Sequence, residues 1–382
     1  MKKYLQQVAL LSVSLLVASG LPVLAADELR PLEIDDYFAL KYVGSPVVSP
    51  DGNWVAYTVS SQDLENDSRG TRIWMISVAG GEPLPMTARG SSAWSPRWSP
   101  DGKHLSFVAT SHDGDSSQVF TLDMRGGERV QMTHVDGGVE GYEWSPNGKQ
   151  LALVIRDQDP DADAGPGPWV IDSLKFKEDY VGYLNRLRAH LYVFDIDKKS
   201  VTQITSGDYE DHSPAWSPDG SRLAFVSNRT AEPDANSNSD IWLVKPDTPH
   251  DKQDLVRLTT NPSSDGSPIW HPDGERIAYM TTTTTRTDVP VSYLQSKVAI
   301  IRVGDDEPVL LTTESLDRKA YNPHFSPDGS HIYVQLEDDG QVHLAAVSVA
   351  DGKLSRPIAG RVAVGAAAVA PDGTVVAVVS EP

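Results

Sequence analysis

Trp98-Ser99-Pro100-Asp101-Gly102-Lys103-His104-Leu105-Ser106-Phe107 reads as a strand end, a tight turn and the start of a returning strand. Ser99 takes turn position i, Pro100 fixes φ at i+1, Asp101 tolerates the bridge region at i+2, and Gly102 accepts positive φ at i+3. Such a turn closes a hairpin with a bulge at the glycine. Leu105 and Phe107, two apart, share one face of the returning strand. Ser106 between them is small enough for the opposite face to be close-packed too, so sheets must stack on sheets.

The motif recurs. Pro-Asp-Gly or Pro-Asn-Gly starts at Pro50, Pro100, Pro146, Pro218, Pro272, Pro327 and Pro371, at intervals of 50, 46, 72, 54, 55 and 44 residues. Two residues before the prolines stand Val48, Trp98, Trp144, Trp216, Trp270, Phe325 and Val369, all apolar. Most hairpins are followed by a third apolar run, such as Ile73 to Ile76, Val119 to Leu122 or Ile241 to Val244. A short fourth run then ends in Thr: Thr87, Thr133, Thr205, Thr259, Thr312. Four strands per period of about 50 residues is the pattern of a β-propeller blade. The expectation is an all-β, seven-bladed propeller over 47–382, built from TolB-like or WD-like repeats, with an insertion at 157–189 in blade three.

The last blade is expected to be incomplete. Nine residues follow Gly373, enough for one more strand, leaving Val375 to Val379 as an apolar edge of the kind natural sheets avoid. The C-terminus therefore reads as a cut. Ahead of the first repeat, 26–46 forms an N-terminal helical segment, with Asp35 or Asp36 capping a helix through Tyr42 that stops at Gly44.

Lys2 and Lys3, an apolar run from Val8 and the small residues ending at Ala25 form a secretory signal peptide over 1–25, placing the mature protein in the periplasm or outside the cell. No other segment has the length of a membrane span. The 382 residues carry 33 Lys plus Arg against 53 Asp plus Glu, a net charge of −20, which disfavours nucleic acid as a partner. The absence of Cys removes disulfides, thiolate metal sites and a cysteine nucleophile.

The repeats resemble the propeller of the prolyl oligopeptidase family of serine peptidases and that of TolB-like proteins. Leu32-Glu33-Ile34-Asp35, then Val43-Gly44-Ser45-Pro46, and the segment Lys175 to Leu184 followed by Arg188 to Val193 are similar to the acylaminoacyl-peptidase-like branch of that family. The first repeat starts too early for the α/β domain that precedes TolB-like propellers. The resemblance implies a propeller that covers a hydrolase domain and admits short peptides. In that domain the nucleophile stands in Gly-x-Ser-x-Gly, which occurs nowhere in this sequence. No catalytic residue is carried over, and the chain by itself is expected to be inactive. The alternative is a non-enzymatic periplasmic propeller that presents one face to a protein partner.

Four acidic residues are candidates for substrate binding. Glu178 and Asp179 lie in the insertion, where they could anchor a peptide's amino terminus, and Glu210 and Asp211 precede the first strand of blade four, near the channel mouth. Asp157, Asp159, Asp161 and Asp163 alternate, but Ala162 and Pro168 stand where a calcium loop needs Gly and Glu, so no metal is expected. The ten His show no ligand spacing, and no cofactor is implied. His271 reads as a turn residue and the hairpin Trp residues as core.

Overall fold

The computed structural model describes residues 30–380 apart from 32, 65–66, 91, 112–115, 159–169, 180–181, 263, 283–293 and 313–317. The expected signal peptide therefore lies outside the described residues, as do Asp159, Asp161 and Asp163.

The turns form as their residue types require. Gly52 N–H donates to Ser49 O at 2.8 Å, while Ser49 Oγ donates to Asp51 at 2.5 Å and accepts the Trp54 N–H at 2.9 Å. The same set recurs at Ser99, Ser145, Ser217 and Ser326. The hydroxyl and backbone donors pull the carboxyls of Asp101, Asp219 and Asp328 down to about 2. Successive turns also pack on one another: a methyl on Gly102 would lie 3.5 Å from the ring of Pro50, and one on Gly52 would lie 4.0 Å from Asp372 of the seventh turn.

The chain is an all-β propeller. Five four-stranded antiparallel sheets occupy 42–85, 93–131, 139–203, 211–257 and 265–310. The expectation of seven blades needs correction: there are six blade sheets, not seven, because the seventh hairpin joins the sixth sheet. The fourth strand of that sheet, Leu354–Ile358, pairs with one end of the third strand, Gln341–Ser348. Only four residues separate Ile358 from Ala363, so the last hairpin begins beside the strand just left. It is tied there by the parallel pair Val342 and Ala363, and Val342 N–H donates to Val362 O at 3.2 Å. The expected apolar edge, Val375–Ser380, packs against the first strand of blade one, Tyr42–Val48, and is largely half-buried. The inner strands of all seven hairpins touch their neighbours in a closed ring around the axis.

The core lies between blades. Phe107, Leu105 and Ile73 fill the space between blades one and two, and Leu223, Phe225 and Leu191 that between three and four. The hairpin Trp residues belong to these cores, as expected. Their indole N–H groups tie blades together: Trp98 donates to Val47 O at 3.2 Å, Trp216 to Glu143 O at 3.2 Å and Trp270 to Ala215 O at 3.0 Å. The fourth-strand Thr residues have a role of their own. Thr133 Oγ1 accepts the Val119 N–H at 2.9 Å, and Thr87, Thr205, Thr259 and Thr312 do the same for Ile73, Leu191, Ile241 and Val298. Each hydroxyl satisfies a buried amide just where the short fourth strand stops pairing.

The N-terminal helix is shorter and starts earlier than expected, at Ile34–Ala39. Glu33 begins it, its N–H donating to Asp36 at 2.9 Å, and Asp36 also meets Arg30 at 2.8 Å. It ends before Tyr42 because Tyr42 and Val43 already pair with Ser60 and Val59 as sheet. None of its residues is buried.

Candidate functional site

Two features stand where the sequence points: a cavity at the blade-three insertion and the wall of the central channel. The insertion leaves blade three after Arg156 and returns at Arg188, its neck closed by Asp157 N–H donating to Arg188 O at 2.8 Å. It folds into a small hairpin in which Lys177–Glu178 pairs with Gly182–Tyr183. Asp234 of blade four anchors it, accepting the Leu174 and Lys175 N–H groups at 2.5 and 2.7 Å. Lys175 Nζ donates to the carbonyls of Pro233 and Asn236, both at 2.6 Å.

Between insertion and blades lies a cavity of 710 Å³ whose wall includes Glu140, Arg156, Glu178, Tyr183, Arg188 and Glu210. Its cations are already engaged. Arg156 meets Glu140 at 2.6 Å and Glu210 at 3.0 Å, and Arg188 meets Asp208 at 2.7 Å. Arg186 pairs with Asp172 at 2.6 Å, while burial draws Lys175 below its usual value. Glu178 is exposed on the wall with no ion-pair partner among the described residues. The cavity therefore offers one free carboxylate amid a neutralised network, an arrangement suited to a cationic group.

The four acidic candidates separate. Glu178 and Glu210 come together on the cavity wall. Asp179 is exposed on the adjacent turn and does not line the cavity. Asp211 is fully buried: Arg229 Nη2 contacts both its oxygens at 2.8 Å, and His190 Nδ1 stands 3.1 Å away. It lies beneath the site instead of facing it. Arg229 stacks on Tyr209, 4.8 Å from the ring centroid, so the buried pair supports a residue of the cavity wall.

The channel wall carries a pattern missed in the sequence. Five inner strands contain a β-bulge at a Ser-Pro or Asn-Pro doublet, and Ser45, Ser95, Ser213, Ser267 and Asn322 sit there at φ between 48° and 53°. A non-glycine residue at positive φ is uncommon, and five equivalent ones mark a built feature. The signal was the doublet five residues before five of the seven turn prolines. Arg97 and Glu143 form an ion pair of 3.0 Å between neighbouring inner strands. Burial, then the charge of Arg97, holds His324 of blade six below the usual imidazole range.

Among the described residues no hydrolytic centre is assembled. His212 Nδ1 lies 3.0 Å from Ser213 Oγ and His331 Nδ1 lies 2.8 Å from Ser330 Oγ. Among the described residues, however, no imidazole has a serine on one nitrogen and a carboxylate on the other. No cluster of metal-ligating side chains occurs among them either.

No family model matches the chain. The uncharacterized peptidase YuxL of Bacillus subtilis is 29% identical over 218 residues, covering 55% of this chain and 33% of that protein. Dipeptidyl-peptidase 5 of Trichophyton schoenleinii is 33% identical over 140 residues, covering 35% of this chain and 18% of the peptidase. The chain thus spans a third or less of these relatives. In fold it is similar to the acylaminoacyl peptidase of Pyrococcus horikoshii, with a TM-score of 0.65 at 18% identity, covering 87% of this chain and 48% of that one. The β-propeller domain of the Trilobed protease from Pyrococcus furiosus, which has an open velcro topology, gives a TM-score of 0.61 at 16% identity over 89% and 90% of the two chains. The curated relatives are peptidases, and the resemblance read from the sequence holds: this chain is similar to the propeller portion of prolyl-oligopeptidase-family peptidases.

Proposed function

We propose that the chain is the propeller portion of an exported serine exo- or oligopeptidase, which covers a hydrolase active site and admits only short or unfolded peptides. The observation that carries this reading is the match to YuxL, 29% identical over 218 residues, in a chain that has no Gly-x-Ser-x-Gly of its own. The logic is steric: a closed ring of inner strands leaves folded proteins no passage to a nucleophile behind it. Glu178, on the wall of the cavity that Glu210 also lines, receives the ammonium group of a peptide. A signal peptide at 1–25 would deliver the protein to the periplasm or beyond.

Two experiments test the reading. The nucleotide sequence after Pro382 should continue in frame and encode Gly-x-Ser-x-Gly within about 250 residues, the size of a hydrolase domain. A stop followed by an unrelated gene would favour a protein-binding module. The purified chain should not turn over a chromogenic peptidyl substrate, and turnover would refute the assignment.

A further inference from the structure

The interface between blades four and five holds two carboxylates with no part in the functional reading. Asp240 opens the third strand of blade four, Asp240–Val244, and Asp265 opens the inner strand of blade five, Asp265–Trp270. They are 1% and 0% exposed. The backbone joins the two strand starts: Asp265 N–H donates to Ser239 O at 2.8 Å, and Ser239 Oγ donates to Asp265 O at 2.9 Å. Asp240 is well served, with Arg257 at 2.8 Å and Thr259 Oγ1 at 3.5 Å. Asp265 is not. Its carboxyl has neutral partners only: Asn261 Nδ2 stands 3.4 Å from Oδ1 and the hydroxyls of Thr281 and Thr259 turn toward the group, while Oδ2 is buried without a hydrogen-bond partner, as is the Tyr279 hydroxyl in the same interface.

Arg257 pairs with Asp240, and among the described residues no cation meets Asp265, so one negative charge is left uncompensated. An unpaired carboxylate out of water is costly enough that the group takes up a proton instead. We propose that blades four and five are clasped by a proton held on Asp265 opposite Asp240, and that losing this proton loosens the interface.

Burial raises both carboxyls to about 6, and the charge of Asp240 adds to the effect at Asp265. Among the described residues the other ionisable groups around the pair are Arg257 on the fourth strand of blade four and Tyr279 on the second strand of blade five. Burial and the two carboxylates push the Tyr279 phenol up, with Glu307 adding to them. Lys297, buried in register with Thr281, is itself partnered. Because the folded state holds the proton more tightly than the unfolded chain, the stabilisation is fully present below the unfolded value of 3.8. It is lost as the pH rises through about 6. His212 and His324, both drawn down by burial, act in the opposite sense below their unfolded value of 6.5. The test is therefore a difference between variant and parent.

The melting temperature of the full chain is to be followed between about pH 5 and pH 7.5, with and without Asp265→Asn. The neutral amide should raise it at the upper end and flatten its dependence on pH relative to the parent. In the parent itself, aspartate-labelled carbon-13 NMR should show a carboxyl with a midpoint near 6 that moves down in Asp240→Asn. That measurement decides the matter even if Asp265→Asn does not fold. Midpoints all below about 4.5, the ordinary aspartate range, would overturn the proposal. So would a melting temperature at fixed pH that rises with sodium or calcium chloride but not with choline chloride, since a metal ion would then occupy the place given to the proton.

Discussion

The imidazole Nε2 of His271, in the turn of blade five, lies 3.1 Å from the carbonyl oxygen of Gly329 in the turn of blade six. In the neighbouring turns a proline ring takes this contact: Gly274 rests on Pro218 and Gly220 on Pro146, each at 3.8 Å for an added methyl. His271 fills the space more tightly, and a methyl on Gly329 would lie 2.2 Å from Nε2. Its ring also meets Phe325 edge-on at 5.0 Å.

Gly329→Ala should therefore cost more than the same change at Gly274, although both glycines have a φ of 71°. Left-handed backbone alone costs about 1–2 kcal/mol, and displacing a packed ring adds about 1–3 kcal/mol. Urea melts should give about 3 kcal/mol for Gly329→Ala and about half that for Gly274→Ala. Adding His271→Ser, which restores the residue of five other turns, should bring Gly329→Ala close to Gly274→Ala. Equal costs without that change would show that the ring yields freely.

The ring of hairpins was legible because each turn is a local event, written in four consecutive residues from Pro50 to Pro371. The sheet count was not, because pairing between Val342 and Ala363 depends on where a strand finds an edge, which no turn motif encodes. Asp211 misled for a related reason. Glu210-Asp211-His212 looks like a solvated loop, but the partners of Asp211 are His190, 21 residues back, and Arg229, 18 residues ahead. Glu178 and Glu210 were singled out in separate segments, and what brings both onto one cavity wall is tertiary: the contacts of Leu174 and Lys175 with Asp234, Pro233 and Asn236 of blade four.

Arg229→Met should destabilise the chain by about 3–5 kcal/mol, because it leaves the buried carboxylate of Asp211 without its cation. Burial tends to raise Asp211, but His190 and Arg229 outweigh it and hold the group below its ordinary value of 3.8. A lowered carboxyl stabilises the fold above that value, and the benefit is lost as the pH falls through the folded value. The acid-unfolding midpoint followed by circular dichroism should thus move to higher pH in Arg229→Met. An unchanged midpoint would mean that the ion pair contributes nothing.

Thr133→Val keeps the shape but removes the hydroxyl that accepts the Val119 N–H at 2.9 Å and donates to Gln118 Oε1 at 2.8 Å. Both partners are buried, so the loss should be about 1–3 kcal/mol, the cost of a stranded polar group. Thr133→Ser should recover most of it. Backbone amide exchange at Val119, faster in the Val variant and near normal in the Ser variant, would locate the effect.

Glu178→Gln tests the cavity without touching the fold. The side chain is exposed and has no ion-pair partner among the described residues, so stability should stay within about 0.5 kcal/mol of the parent. Binding of a short peptide with a free amino terminus, followed by NMR shifts of cavity residues, should weaken by about fivefold, the loss of one exposed charge contact of about 1 kcal/mol. The parent should prefer the free peptide to its acetylated form, and that preference should shrink in high salt, which screens an exposed carboxylate. Asp179→Asn, one residue away but off the cavity wall, should leave binding unchanged. If the acetylated peptide binds the parent as well as the free one, the carboxylate is not reading an ammonium group and the cavity has some other occupant.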